Sequence, residues 1–116
     1  MATIRVDNLR ARAILGINDD ERVKKQDLII NYSMELDITA AATTDDVNQT
    51  VDYKAINKRI LEFVENSEFF LIEKLVTQLL EILMEDARVD KATVRVDKPT
   101  ALRFADSVSL QDSATR

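Results

Sequence analysis

From Asp27 to Thr39 the even positions Leu28, Ile30, Tyr32, Met34, Leu36 and Ile38 are all apolar, while the odd positions include Asn31, Ser33, Glu35, Asp37 and Thr39. A period of two sustained this long belongs to a β-strand with one face in a core and the other in water. Sheets that keep one face solvated are antiparallel, so this strand calls for antiparallel neighbours. Upstream, Ile4 and Val6 fall on even numbers and Leu9, Ala11, Ala13, Leu15 and Ile17 on odd ones. The register therefore shifts near Asp7 and Asn8, which predicts a strand with a bulge. Between the two strands, Asn18 to Gln26 is dense in charge and has Val23 as its one apolar residue, and it reads as the exposed connection of a hairpin.

Downstream the period changes. Asp52 can cap a helix whose stripe is Ile56, Ile60, Phe63 and Val64, ending near Asn66. A second helix carries Ile72, Leu75, Val76, Leu79, Leu80, Ile82 and Leu83, an apolar face wide enough for both a sheet and another helix, and should run to about Asp86 or Ala87. Alternation returns at Ala92, Val94 and Val96 and again at Val108 and Leu110, with Lys98 to about Asp106 as a loop, Pro99 outside the strand runs and a disordered tail from Gln111. The order β-β-α-α-β-β predicts an α+β fold, an antiparallel four-stranded sheet with two helices on one face. The long strands leave open edges, and pairing between subunits is one way to close them.

Composition narrows the chemistry. A chain of 116 residues should form a single domain, residues 1–116. No apolar stretch approaches a membrane span, and the N-terminus, with Arg5, Asp7 and Arg10, has no secretory pattern, so a cytoplasmic protein is expected. With no histidine and no cysteine, disulfides, thiol nucleophiles, Cys/His zinc sites and imidazole bases are excluded. Gly16 is the only glycine and Pro99 the only proline, too few for a phosphate loop or a dinucleotide fingerprint. The net charge of −5 is the wrong sign for sequence-independent nucleic-acid binding, and an anionic substrate would need a local basic cluster.

Four residues stand out, each with an ordinary explanation. Glu21 lies in the hairpin loop as a solvated acid would, and Tyr53 follows a helix cap where a phenol commonly packs half-buried. Glu73 falls in a first helical turn, where the dipole favours a carboxylate, and Lys98 ends a strand, where lysine protects an edge.

Their order and surroundings carry more. Gly16-Ile17, Glu21 and Gln26 in the loop, Asp52-Tyr53, Phe70-Leu71-Ile72-Glu73-Lys74-Leu75 and Lys98-Pro99 together resemble the dihydroneopterin aldolase family, from about Ile4 to Leu110. Within it, Asn8-Leu9-Arg10, Gln26-Asp27, Val64-Glu65-Asn66 and the run Ala101-Leu102-Arg103-Phe104-Ala105-Asp106-Ser107-Val108-Ser109 look like the dihydroneopterin triphosphate 2′-epimerase branch. Aldolases proper usually have an aromatic residue before the loop glutamate, where this chain has Asp20.

The resemblance implies a tunnelling fold whose strands join between subunits into a barrel, in tetrameric rings that stack as octamers. It implies a pterin substrate, no metal and no other cofactor, and no nucleic-acid or membrane partner. Glu73 would anchor the pterin through two parallel N–H donors, with Leu71 and Ile72 beside it, and Tyr53 would come from a neighbouring subunit. Lys98 would be the main acid/base, directly or through a water, and Glu21 would position the side-chain hydroxyls. For the phosphates, Arg103 is favoured, with Lys74 and the pair Lys24 and Lys25 as further candidates. The implied reaction is epimerisation of dihydroneopterin triphosphate at side-chain carbon 2′ by retro-aldol and aldol steps. Aldolase activity giving 6-hydroxymethyldihydropterin is the alternative, and a non-catalytic pterin-binding ring protein is a third reading.

Overall fold

A computed structural model describes residues 1–99 and 101–116. The chain runs β1 (Ala2–Leu15), β2 (Gln26–Leu36), α1 (Thr39–Thr44), a 3-10 turn (Val47–Gln49), α2 (Tyr53–Glu65), β3 (Glu68–Phe69), α3 (Ile72–Leu83), β4 (Lys91–Pro99) and β5 (Ser107–Thr115). The sheet has the order β3-β1-β2-β4-β5. Strands β1, β2, β4 and β5 pair antiparallel, and β3 pairs parallel with the end of β1 through Ile14 and Leu15. The architecture is α+β as expected, but the sheet is mixed and five-stranded rather than four-stranded and antiparallel, and α1 adds a third helix. Strand β3 is two residues long, too short to leave a period in the sequence, and α1 buries no residue and so has no apolar stripe.

The bulge lies where alternation breaks. Val6 faces Tyr32 and Leu9 faces Ile30, so β1 carries one extra residue and switches its inward set from even to odd numbers. Asn8 takes φ 56°, a left-handed conformation asparagine tolerates better than most residues, and its N–H donates to Asn31 Oδ1 at 2.8 Å. The inward residues of β1, β2 and β4 meet Ile60 and Val64 of α2 and Leu75, Val76, Leu79, Leu80 and Leu83 of α3 in one core. Helix α2 lies over β1, and α3 over β4 and β5. The Tyr32 hydroxyl donates to Asn57 Oδ1 at 2.8 Å, and burial pushes the phenol up to about 12.

Two expectations at the C-terminal end are corrected. Pro99 is the last residue of β4 and faces Ser107, and β5 continues through Gln111 to Thr115 instead of dissolving into a tail. Strand β5 is exposed along most of both faces, so it has little inward pattern to read. Helix α3 ends at Leu83, short of Asp86. Among the described residues, β1 from Ala2 to Ala13 has no strand on its outer side, and neither has β5. No helix among them is long and apolar enough to cross a membrane.

Candidate active site

The sharp turn after β1 begins the site. Gly16 adopts φ 134°, a region essentially closed to residues with a side chain, and a Cβ placed there would strike the Glu21 carboxylate. The turn thus needs glycine twice, once for the backbone and once to let the carboxylate lie against it. Glu21 is held from several sides. The Asn18 N–H donates to Oε1 at 3.2 Å, Gln26 Nε2 to Oε2 at 3.4 Å, and Lys98 Nζ to Oε2 at 2.9 Å. Gln26 is itself held by the Leu15 carbonyl. Lys98 arrives from β4, on the inward side of the strand that Ala92, Val94 and Val96 define. The side chains of Lys98 and Glu21 are only 14% and 18% exposed, so the pair is sheltered yet open to a small ligand. The Lys98 ammonium, with the Asn18 and Gln26 donors, holds the Glu21 carboxyl below its usual range against the opposing effect of burial.

The start of α3 lies beside this loop because Arg22 ties the two together. Its guanidinium donates to the carbonyls of Gly16 at 3.1 Å, Phe69 at 3.0 Å and Glu68 at 2.7 Å, and its Cζ stacks 3.9 Å from the centre of the Phe70 ring. The Gly16 N–H donates to the same Phe69 carbonyl at 3.2 Å. Two residues past Phe70 the helix begins, without a side-chain cap at Leu71 and with Glu73 in its first turn. Glu73 is exposed and, among the described residues, its carboxylate has no ion-pair or hydrogen-bond partner. A carboxylate unopposed at a positive helix end is available to paired N–H donors of a ligand. Arg22 was not singled out in the sequence, since its partners are backbone carbonyls that any residue supplies.

The remaining candidates stand apart from this cluster. Tyr53 opens α2 behind Asp52, whose Oδ1 accepts from the Ala55 N–H at 3.0 Å. Tyr53 is 56% exposed and shares a surface hollow with Val6, Asn57 and Leu61. Val6 lies nine residues before Leu15 on β1, about 30 Å at the rise of a strand, so Tyr53 sits away from the turn that carries Glu21. Lys74 is exposed beside Glu73, and Arg103 is exposed in the loop before β5 with its Cζ 5.4 Å from the Phe104 ring centre. Neither touches the Glu21–Lys98 pair. Among the described residues no group of three or more metal-ligating side chains is gathered.

Known proteins resemble this chain in sequence and fold. The dihydroneopterin aldolase family model (FolB) matches residues 4–111. The chain is 41% identical over 109 residues to the dihydroneopterin triphosphate 2′-epimerase of Escherichia coli K12, covering 94% of this chain and 91% of that protein. It is 28% identical over 110 residues to the dihydroneopterin aldolase of Haemophilus influenzae, covering 95% and 93%. The structure of Escherichia coli dihydroneopterin aldolase in complex with neopterin has the same fold, with a TM-score of 0.92 at 24% identity over 98% of this chain and 99% of that one. A match that spans both long strands, both packed helices and the loop bearing Glu21 leaves one assignment: the chain belongs to the dihydroneopterin aldolase family.

Proposed function

We propose that this protein epimerises 7,8-dihydroneopterin triphosphate at side-chain carbon 2′, giving dihydromonapterin triphosphate, with no metal or other cofactor. The observation that carries the reading is the sheltered Glu21–Lys98 contact of 2.9 Å beside the uncapped start of α3. Identity of 41% to an epimerase, against 28% to an aldolase, favours that branch. A relative that holds neopterin supports a pterin as the ligand.

In this reading Glu73 accepts two parallel N–H donors of the pterin, and Leu71 and Ile72 border the ring at the helix start. The 2′-hydroxyl then meets Lys98 and Glu21. Loss of its proton turns the O–H electron pair into a C2′ carbonyl, and the C1′–C2′ bond breaks. The freed pair moves to C1′–C6 while the C6–N5 double bond opens and N5 takes up a proton, giving an enol and an aldehyde that carries the triphosphate. Re-addition to the other face of the aldehyde reverses each step and inverts carbon 2′. Glu21, with its carboxyl held low by Lys98, orients the hydroxyl, and Lys98 moves the proton, directly or through a water. Arg103 and Lys74 are exposed cations on offer to the phosphates.

Tyr53 completes the site from a neighbouring subunit, which its place in a hollow apart from the Glu21–Lys98 pair within one chain supports. The free edges of β1 and β5 support strand joining between subunits into a barrel, in a cytoplasmic ring of four that stacks to eight, each copy a single domain of residues 1–116.

The test is to incubate the protein, with chelator present, with dihydroneopterin triphosphate and separately with dihydroneopterin, then oxidise, dephosphorylate and separate the pterins. Monapterin as the main product from the triphosphate is the expected result. Dominant 6-hydroxymethylpterin would make the protein an aldolase, since the same enol, released and protonated, gives that product. Binding without turnover would leave a pterin-binding protein.

A further inference from the structure

Lys98 sits on an overhang of the sheet. The β2–β4 ladder runs from Glu35 opposite Lys91 to Ile29 opposite Asp97 and ends there. Among the described residues, Lys98 and Pro99 pair with β5 alone, opposite Val108 and Ser107. Pro99 has no N–H, so it gives β5 no backbone donor at the last pair of that ladder. The backbone beneath the 2.9 Å contact of Lys98 with Glu21 is therefore held from one side, at a strand end where a donor is missing.

Side chains on the other face of the sheet supply a tie at this point. Asp97 is the one charged residue that is buried among the described residues, at 8% exposure. Arg95, two residues earlier on the same face, holds it through two donors, Nε to Oδ1 at 2.8 Å and Nη2 to Oδ2 at 3.0 Å. The hydroxyl of Ser107, the first residue of β5, donates to Oδ2 at 3.2 Å. Asp97 lies opposite Ser109 and Ser107 opposite Pro99, so this bond crosses the ladder diagonally and spans the Lys98–Val108 pair. We infer that Asp97 and Ser107, with Arg95 neutralising the buried carboxylate, are positioning residues that fix the end of β4 and so hold the Lys98 ammonium at Glu21. They act through the strand, since their side chains lie on the face opposite Lys98. The inference rests on Lys98 as the proton carrier of the proposed reaction.

Joining two strands does not by itself call for a carboxylate. Farther along the same ladder the hydroxyls of Thr93 and Ser113 lie 2.9 Å apart, a neutral pair at a place where β2 also flanks β4. Burying a carboxylate is unfavourable unless it is paired and hydrogen-bonded, and a bidentate guanidinium fixes its direction as well as its charge. In β4 that arrangement stands at the residue after which the strand leaves β2 and carries Lys98.

The test compares Ser107→Ala, Ser107→Thr and Asp97→Asn with the unaltered protein. Ser113→Ala is the control, because it removes a side-chain bond between the same two strands away from the overhang. Hydrogen exchange of the Lys98 and Val108 amides reads the tie without turnover. Ser107→Ala should speed it about tenfold, and Ser107→Thr and Ser113→Ala should leave it near the unaltered rate. Unchanged exchange in Ser107→Ala overturns the inference whether or not the protein epimerises a pterin. With dihydroneopterin triphosphate as substrate, kcat of Ser107→Ala and Asp97→Asn should fall about tenfold or more with KM little changed, and Ser107→Thr should recover most of the loss. An unaltered kcat in Ser107→Ala, or an equal fall in Ser113→Ala, overturns the positioning role. Absence of turnover by the unaltered protein is a failure of the epimerase reading instead, and the exchange comparison still decides whether the tie holds Lys98.

Discussion

At the scale of single residues, the site is organised around one carboxylate. Glu21 accepts from Lys98, Asn18 and Gln26, and Gly16 leaves the space it fills. Because the folded protein holds its carboxyl below the unfolded value, the contact stabilises the fold above the ordinary glutamate range, near pH 4.3, and this contribution disappears as pH falls through the depressed folded value. Thermal midpoints of the unaltered protein and Glu21→Gln, taken from about pH 7 down to about pH 3, should therefore differ most near neutrality and converge in acid. A gap independent of pH would mean that the carboxylate charge does not supply the stabilisation. Glu21 and Lys98 stand out in the sequence only through the family resemblance, since they lie far apart in the chain and no spacing rule joins a hairpin loop to a strand end. Gly16 shows one part of its role in the sequence, as a turn residue. Its second part, room for the carboxylate, exists only in three dimensions.

At the scale of elements, legibility follows burial. Strand β2 alternates because one face is fully buried, and the bulge in β1 shows as a parity switch between Val6 and Leu9. Helix α3 shows its buried stripe, and α2 shows its Asp52 cap. What burial does not stamp, the sequence leaves blank: the two residues of β3, the solvent-facing α1 and the exposed end of β5. The short β3 matters beyond its size, because it delivers the Glu68, Phe69 and Phe70 segment to Arg22 and so fixes where α3 begins relative to the Glu21 loop. Arg22 is a positioning residue on this account. Arg22→Ala should lower kcat about tenfold or more with a smaller change in KM, because a shifted Glu21 loop misplaces the proposed acid/base pair. Arg22→Lys restores one contact of the fork and should recover only part of the loss. Steady-state kinetics with matched melting curves check this, and a loss confined to stability would reduce Arg22 to a loop staple.

At the scale of the molecule, shape and chemistry point the same way. The radius of gyration is 15.5 Å and the extents are 52 × 25 × 21 Å, whereas a compact chain of this length has a radius near about 13 Å. The excess length is the long β1–β2 ribbon, which carries the Glu21 loop at one end and Val6, beside the Tyr53 hollow, farther along β1. An elongated subunit with open strands at both edges, and with its phenol remote from its carboxylate–lysine pair, is suited to sites formed between copies. Subunit mixing tests that directly. Lys98→Ala and Tyr53→Ala proteins should each be nearly inactive alone. Unfolded together in equal amounts and refolded as mixed rings, they should recover about a quarter of the unaltered activity, because a site then draws an intact Lys98 from one variant and an intact Tyr53 from the other, each with even odds. A size measurement on the refolded mixture confirms that rings have formed. Mixed rings without recovered activity would place Tyr53 and Lys98 in separate roles, and would require the phenol to act within its own chain.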